Sequence, residues 1–114
     1  MTMRKFLLVF ALAACAGSSA QAQVAEGRAL YMKVGCYQCH GTEGQGGNAG
    51  PRIAPGPMAW EAFAQFVHHT SDAMPPYSEA VLPDSDLKTI HTFLQSIPQP
   101  TPVSQIPLLN GQRK

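Results

Sequence analysis

Three side chains within five positions combine thiol and imidazole chemistry. In Cys36-Tyr37-Gln38-Cys39-His40, two cysteines lie three positions apart and a histidine directly follows the second. On one helical turn, residues at these spacings project from the same face. Both thiols can therefore reach the edge of one planar ligand, and the imidazole can bind a metal at the centre of that ligand.

The pattern C-x-x-C-H predicts covalent attachment of one haem c, with Cys36 and Cys39 as the thioethers and His40 as an axial iron ligand. Three alternatives use the same cysteines. A thioredoxin-like redox pair requires a strand and helix around C-x-x-C, and no such context is visible. A zinc site would need more ligands, and His68 and His69 are adjacent instead of about three to five residues apart. A structural disulfide is the third alternative.

A second axial ligand is expected, because a vacant iron position admits oxygen chemistry and methionine paired with histidine raises the reduction potential. Met32 lies too near the C-x-x-C-H segment to reach the opposite face of the ring. Met74 lies in the stiff Asp-Ala-Met-Pro-Pro loop of residues 72–76, which has little conformational freedom left to lose. We predict Met74 as this ligand. The alternatives are Met58, His68 and His69.

The N-terminus has the features of a secretory signal peptide in the usual order. A basic stretch at residues 1–5 precedes an apolar run at 6–16, and Ala-Gln-Ala at 20–22 forms an A-x-A cleavage site. The apolar run is too short to cross a bilayer comfortably. We predict a cleaved signal peptide over residues 1–22 and a periplasmic location. Leu-Ala-Ala-Cys, ending at Cys15, also fits a lipoprotein signal, so a membrane-anchored lipoprotein is the alternative.

Helical periodicity predicts an all-α domain over residues 23–98. We expect helices over residues 24–33, from Pro57 and from Asp84, the last with Asp84 as N-cap. The glycine-rich residues 41–50 should form irregular structure, and no segment alternates long enough to be a strand. The apolar positions of the second and third helices are Trp60, Phe63, Ala64 and Val67, and Leu87, Ile90, Leu94 and Ile97.

Two other features concern polar or proline-rich positions. We expect His91 to lie at the surface of the third helix, and we expect His68 and His69 to complement the dipole at the end of the second. Four prolines in the C-terminal part predict an extended tail over residues 99–114. A domain of this length buries a thin core, so a cofactor at its centre would supply part of the stability.

The C-x-x-C-H motif, the methionine loop and the predicted helices together resemble the class I cytochromes c. The resemblance covers nearly the whole chain after the predicted signal peptide. In that family, an N-terminal helix with a small residue and an aromatic residue four positions later crosses the C-terminal helix. Gly27 and Tyr31 look like that pair, meeting Ile90, Phe93 and Leu94. The resemblance implies a cytochrome c fold, with three main helices and irregular loops wrapped around one covalent haem.

The same resemblance implies further pocket residues. Gly50-Pro51 is similar to the family's Gly-Pro step, in which the proline carbonyl accepts a hydrogen bond from the proximal histidine, here His40. Met-Pro-Pro-Tyr looks like the family's methionine loop, so Tyr77 is expected to pack on the haem or to bond a propionate. Trp60 is expected either to fill the core or to donate its indole N–H to a propionate.

The charge distribution gives no sign of a nucleic-acid partner, because only 13% of residues are charged and they form no basic stripe. Loss of Arg4 and Lys5 with the signal would reduce Lys and Arg from 8 to 6 against 7 acidic residues, a net charge of −1. Membrane contact is expected only through a lipidated Cys15 or through a complex.

We therefore predict a periplasmic one-electron carrier that is not itself an enzyme. A periplasmic dehydrogenase would be its electron donor, and an oxidase or another cytochrome its acceptor. One alternative is a cytochrome c subunit of a periplasmic dehydrogenase complex. Another is a haem peroxidase or gas sensor with an open distal site.

Overall fold

The computed structural model describes residues 19–110 of the chain. Most of the predicted signal peptide, including Cys15, and the last four residues lie outside this range. The elements in chain order are α1 (residues 19–33), α2 (Tyr37–His40), α3 (Trp60–His69), α4 (Asp84–Ser96), a 3₁₀-helix (Val103–Gln105) and α5 (Pro107–Asn110). Residues 19–110 form no strand, which confirms the all-α prediction for this part of the chain.

Helix α1 crosses α4 at a glycine. Gly27 is buried, and a Cβ atom built there would lie 2.3 Å from the carbonyl oxygen of Thr89 and 2.8 Å from Cβ of Phe93. One turn later, the ring of Tyr31 packs on that of Phe93, with a centroid separation of 5.4 Å and a tilt of 59°. The two helix backbones can approach this closely only because position 27 carries no side chain. This is the crossing that the resemblance implied for Gly27 and Tyr31.

The hydrophobic core lies between α3 and α4, with α1 and two loop positions closing it. Helix α3 contributes the side chains of its predicted apolar stripe, of which Phe63 and Val67 are buried. From α4 and the remaining segments, the buried apolar side chains are Tyr31, Ala54, Leu82, Leu87, Ile90, Phe93 and Leu94. Spacings of three and four residues place the α4 members on one face, as the periodicity predicted.

His91 is buried, with 5% of its surface exposed, so the prediction of a surface position was wrong. Its ring packs against Trp60 at a centroid distance of 5.9 Å and against Phe63 at 5.0 Å. The Nε2 atom donates to the carbonyl oxygen of Met58, at 2.8 Å. This hydrogen bond satisfies the imidazole away from water, so burial of the ring is tolerated.

The starts of two predicted helices shift, by three residues for α3 and by one for α4. Helix α3 begins at Trp60 instead of Pro57, and the carbonyl of Met58 is directed to the ring of His91 instead of into a helical turn. Helix α4 has Pro83 at its N-cap, and Asp84 is its first residue with no side-chain capping bond. In both places a group that could have capped the helix contacts another element instead: the Met58 carbonyl contacts His91, and the Asp84 carboxylate contacts His68.

The tail is less extended than its prolines predicted. It contains the 3₁₀-helix and α5, which contact each other. Pro102 occupies the N-cap of the 3₁₀-helix, and Pro107 is the first residue of α5. Proline suits these positions, because its fixed φ is compatible with a first helical turn and its missing N–H needs no partner there. Within residues 19–110, no helix has the length and apolar character to cross a membrane.

Candidate functional site

A cavity of about 560 Å³ opens beside the core and receives every side chain predicted to bind haem covalently or through its iron. Cys36, Cys39, His40 and Met74 all contribute to its lining. Its wall is largely apolar and shares seven of the nine buried apolar side chains of the core. The core of this small domain is therefore the inner wall of a site, and a ligand in that site would complete the packing.

The C-x-x-C-H segment forms one helical turn that lines the cavity. Cys36 is the N-cap of α2, and its carbonyl oxygen accepts from the N–H groups of Cys39 at 3.3 Å and of His40 at 3.0 Å. Positions i, i+3 and i+4 of a helical turn share a face. The local geometry therefore directs the two thiols and the imidazole towards the same cavity, as the spacing indicated.

His40 is held by a loop carbonyl. Only 8% of the residue is exposed, and its Nδ1 lies 2.7 Å from the carbonyl oxygen of Pro51. Since a carbonyl can only accept, Nδ1 carries the proton and Nε2 keeps its lone pair for a metal. This is the contact that the resemblance implied. Gly50 lets the loop approach closely, because a Cβ atom there would lie 3.0 Å from the carbonyl oxygen of Cys39.

The candidates for the second axial ligand differ in position. Met74 is partly buried, packs against the core and lines the cavity. Met58 also lines the cavity but is 50% exposed. Both ring nitrogens of His68 are engaged, with the Tyr77 carbonyl and the Asp84 carboxylate, so neither is available to a metal. His69 is exposed and does not line the cavity, so the two thioethers are the better candidates. The geometry favours Met74, since the less exposed ligand excludes water more effectively.

Of the other two predicted pocket residues, Tyr77 lies at the cavity and Trp60 does not. Tyr77 lines the cavity, and its hydroxyl donates to the carbonyl oxygen of Val34 at 3.0 Å, so its one proton is used within the chain. Burial raises the pKa of Tyr77, and the thiols nearby add to this effect. Trp60 does not contribute to the cavity lining. It packs on His91, and the ammonium of Lys88 lies 5.4 Å from its ring centroid.

The inner part of the site favours neutral groups. Burial raises the pKa of Tyr31 to about 12 and that of Cys36 to about 11. A thioredoxin-like cysteine pair works through a lowered thiol pKa, which is the opposite direction. The charged residues of the lining, Arg52 and Asp72, are exposed. The site is therefore a neutral, apolar slot with charges only towards solvent.

Several residues of the cavity wall are not among the predicted site residues. Phe66 lines the cavity and is 40% exposed, and its place one helical turn after Phe63 could have indicated it. Leu82 is 1% exposed and Arg52 lies next to Pro51, but both come from loops without periodicity. Their positions depend on how the loops fold back over α3 and α4.

The family model described as cytochrome c oxidase, cbb3-type, subunit III matches residues 22–94. The chain belongs to this family of c-type cytochromes. The match covers α2, α3 and most of α1 and α4, and it confirms the resemblance to class I cytochromes c and the cytochrome c fold. No curated protein and no solved structure matches the chain.

Domains of this family bind haem c covalently, so haem c is the cofactor of this cytochrome, and electron transfer with redox partners is its function. The residues present fit that group. Two thiols, an imidazole with its Nδ1 proton engaged and a thioether line one apolar cavity. These are the donor types that c-type attachment and histidine–methionine ligation of iron require.

Proposed function

We propose that this cytochrome is a periplasmic one-electron carrier, with a single haem attached at Cys36 and Cys39 and its iron held by His40 and Met74. The observation that carries the proposal is the convergence of these four side chains on one largely apolar cavity. The haem supplies the redox chemistry, because its iron takes up and releases one electron between Fe(III) and Fe(II).

The chain's own residues keep the ligand positions fixed. The Pro51 carbonyl holds the proton of His40 on Nδ1, which orients the imidazole and leaves the lone pair of Nε2 for the iron. Pro75 and Pro76 follow Met74 directly, so the backbone beside the thioether has few alternative conformations. The apolar wall excludes water. Little in the protein then needs to rearrange when an electron is gained or lost, which suits a carrier.

Electron exchange requires a surface where partners can dock. Met58 and Phe66 line the cavity and are 50% and 40% exposed, so they place apolar surface at its rim. Docking there would bring a periplasmic dehydrogenase, as donor, or an oxidase or second cytochrome, as acceptor, close to the haem edge. Redox encounters of this kind use small, short-lived interfaces. In this proposal the cytochrome itself is not an enzyme.

Export is supported by the basic, apolar and A-x-A features of residues 1–22. Cleavage after Ala22 is compatible with the fold, because residues 19–22 are exposed and Val24 is the first residue of α1 packed against the core. N-terminal mass spectrometry of the exported protein distinguishes the two processing routes. A chain beginning at Gln23 supports a soluble carrier, whereas a lipid-modified Cys15 supports the membrane-anchored alternative.

The axial ligation is tested with a pair of methionine variants of the holoprotein. We expect Met74→Ala to lose the methionine-to-iron absorption band and to lower the reduction potential, within the span of about 0.8 V over which axial ligands tune haem. Met58→Ala, at the same cavity, should change neither. If Met74→Ala leaves the spectrum and potential unchanged, the ligation is wrong and an open-site peroxidase or gas sensor becomes the better proposal.

A second candidate function is that of a subunit in a larger redox complex, such as a periplasmic dehydrogenase. It is favoured by the tail beyond the matched residues, where Val103 and Leu108 are 50% and 87% exposed, and by the family description, which names an oxidase subunit. Exposed apolar groups of this kind suit a protein contact. Monomeric behaviour in gel filtration of native extracts supports the free carrier, and copurification at constant stoichiometry supports the complex.

A further inference from the structure

His68 lies in the last turn of α3 and has no role in the proposed function. Its Nδ1 atom hydrogen-bonds the carbonyl oxygen of Tyr77, and its Nε2 atom lies 3.0 Å from Oδ1 of Asp84. Its side chain is 5% exposed, whereas that of Asp84 is 62% exposed. One imidazole therefore connects the end of α3, the segment after Met74 and the start of α4.

Tyr77 is the anchor of the methionine loop. Its N–H donates to the carbonyl oxygen of Val67 at 2.9 Å, and its hydroxyl donates to that of Val34 at 3.0 Å. The third connection is the hydrogen bond from His68 to the carbonyl oxygen of Tyr77. Only two prolines separate Met74 from Tyr77, and their φ angles are fixed. Fixing Tyr77 therefore limits where the Met74 thioether can lie.

We propose that His68 is a positioning residue for Met74, acting as an imidazolium that holds the methionine loop between α3 and α4. The inference rests on the proposed function, because it requires Met74 to be an iron ligand. His68 does not touch the cofactor in this account. It acts only through Tyr77, and its effect is to keep the loop closed over the site.

The protonation state matters because both partners of His68 are acceptors. A neutral imidazole has one N–H and can donate to the carbonyl or to the carboxylate, but not to both. The titratable groups that face it are Asp84 at the start of α4, Glu79 in the turn before it, and the neighbouring His69, whose ring centroid lies 6.2 Å away.

The imidazolium form is stabilised in the folded protein. The hydrogen bond to the Tyr77 carbonyl raises the pKa of His68 above its ordinary value of 6.5, and Asp84 and Glu79 add to the effect. A group whose pKa is raised on folding stabilises the folded state when it is protonated. This stabilisation is fully present below the pKa of the unfolded chain and is lost as pH rises through the pKa of the folded state. The hold on the loop should therefore be strongest below pH 6.5 and weaken above the raised pKa of His68.

Competition by exogenous imidazole for the ferric iron measures how readily the Met74 loop opens. At a pH below 6.5, His68→Ala should bind imidazole about tenfold more tightly than the wild type. A factor of ten corresponds to about 1.4 kcal/mol, the size expected for one charge-assisted hydrogen bond. The matched control is His69→Ala, which removes an exposed neighbouring histidine and should leave the imidazole affinity unchanged.

His68→Asn separates positioning from protonation. An asparagine amide can donate to the Tyr77 carbonyl in place of Nδ1, but it does not titrate. We expect this variant to recover most of the wild-type imidazole affinity and to lose the part of the pH dependence that comes from the titration of His68. The ratio of wild-type to His68→Asn affinity at each pH cancels the titration of imidazole itself. The His68→Asn variant also keeps the test decisive if His68→Ala fails to fold.

The outcomes separate this inference from the proposed function. A methionine-to-iron band that is intact in the wild type, with imidazole affinities equal in His68→Ala, His68→Asn and wild type at every pH, overturns the positioning role alone. Absence of that band in the wild type, with imidazole affinity unaffected by Met74→Ala, overturns the proposed ligation and this inference together. A tenfold change in His68→Ala, with a ratio of wild-type to His68→Asn affinity that increases as pH rises through the raised pKa of His68, supports both.

Discussion

The crossing of α1 and α4 at Gly27 allows a quantitative prediction. An alanine there would place its methyl group 2.3 Å from the Thr89 carbonyl oxygen and 2.8 Å from Cβ of Phe93. Both atoms are close to the α4 backbone, so no flexible side-chain end can move aside and the helices must separate. Overpacking of a tight contact costs about 1–3 kcal/mol, and we expect the upper end here.

Alanine has a better helix propensity than glycine by about 1 kcal/mol, which offsets part of this cost. We therefore expect Gly27→Ala to lower the free energy of unfolding by about 2 kcal/mol. In a domain of this size, each 1 kcal/mol shifts the Tm by about 4–8 °C, so the Tm should fall by about 8–16 °C. Thermal unfolding of the ferric holoprotein, followed by far-ultraviolet circular dichroism, measures the change.

Gly47→Ala is the matched control, because an added Cβ atom at Gly47 would meet its nearest neighbour, the Cys39 carbonyl oxygen, at an ordinary distance of 3.5 Å. We expect this variant to change the stability by less than about 0.5 kcal/mol. A Gly27→Ala protein with a Tm equal to or above that of the wild type would refute the close approach of α1 and α4.

Three further variants test other parts of the structure. Leu94→Ala removes a fully buried side chain that also lines the cavity, so it should lower the free energy of unfolding by about 2–5 kcal/mol, measured by chemical denaturation. A smaller loss would mean that the wall of the site is loosely packed. Tyr77→Phe removes the bond to Val34 and should increase imidazole affinity about fivefold, the equivalent of about 1 kcal/mol, and an unchanged affinity would contradict the anchoring. Asp84→Asn removes a charge that raises the pKa of His68, so the pH step in imidazole affinity should move to lower pH; a shift upward would contradict the sign.

The residues that could be predicted from spacing alone, without the family resemblance, are those whose geometry is set locally. Spacings of three and four place Cys39 and His40 on the same face as Cys36, and the helical turn that joins them has this geometry. The apolar stripe of α3 also follows from periodicity, and Phe63 and Val67 are buried as expected. No tertiary information is needed at these positions.

His91 is buried although its side chain is polar. It follows Leu87 by four residues and precedes Leu94 by three, so it lies on the buried side of α4. Its polarity suggested solvent exposure, but the Met58 carbonyl provides a partner for its ring. The position in the helix was therefore the better indicator.

The contacts of His68 could not have been predicted in this way. Its partners lie 9 and 16 positions further along the chain, and only the folding of the methionine loop between α3 and α4 brings them together. The same applies to the exclusion of Trp60 from the cavity lining. Such contacts depend on loop paths, which no periodicity specifies.

Every role proposed for this cytochrome depends on covalent attachment of haem at Cys36 and Cys39. The direct test is to denature the purified holoprotein, extract it with acidic organic solvent, digest it and determine the mass of every haem-absorbing peptide. We expect all of the haem to remain on the peptide that contains Cys36, Cys39 and His40, with a mass increased by one haem. Haem released into the solvent, with that peptide at the mass of its amino acids alone, would contradict the account.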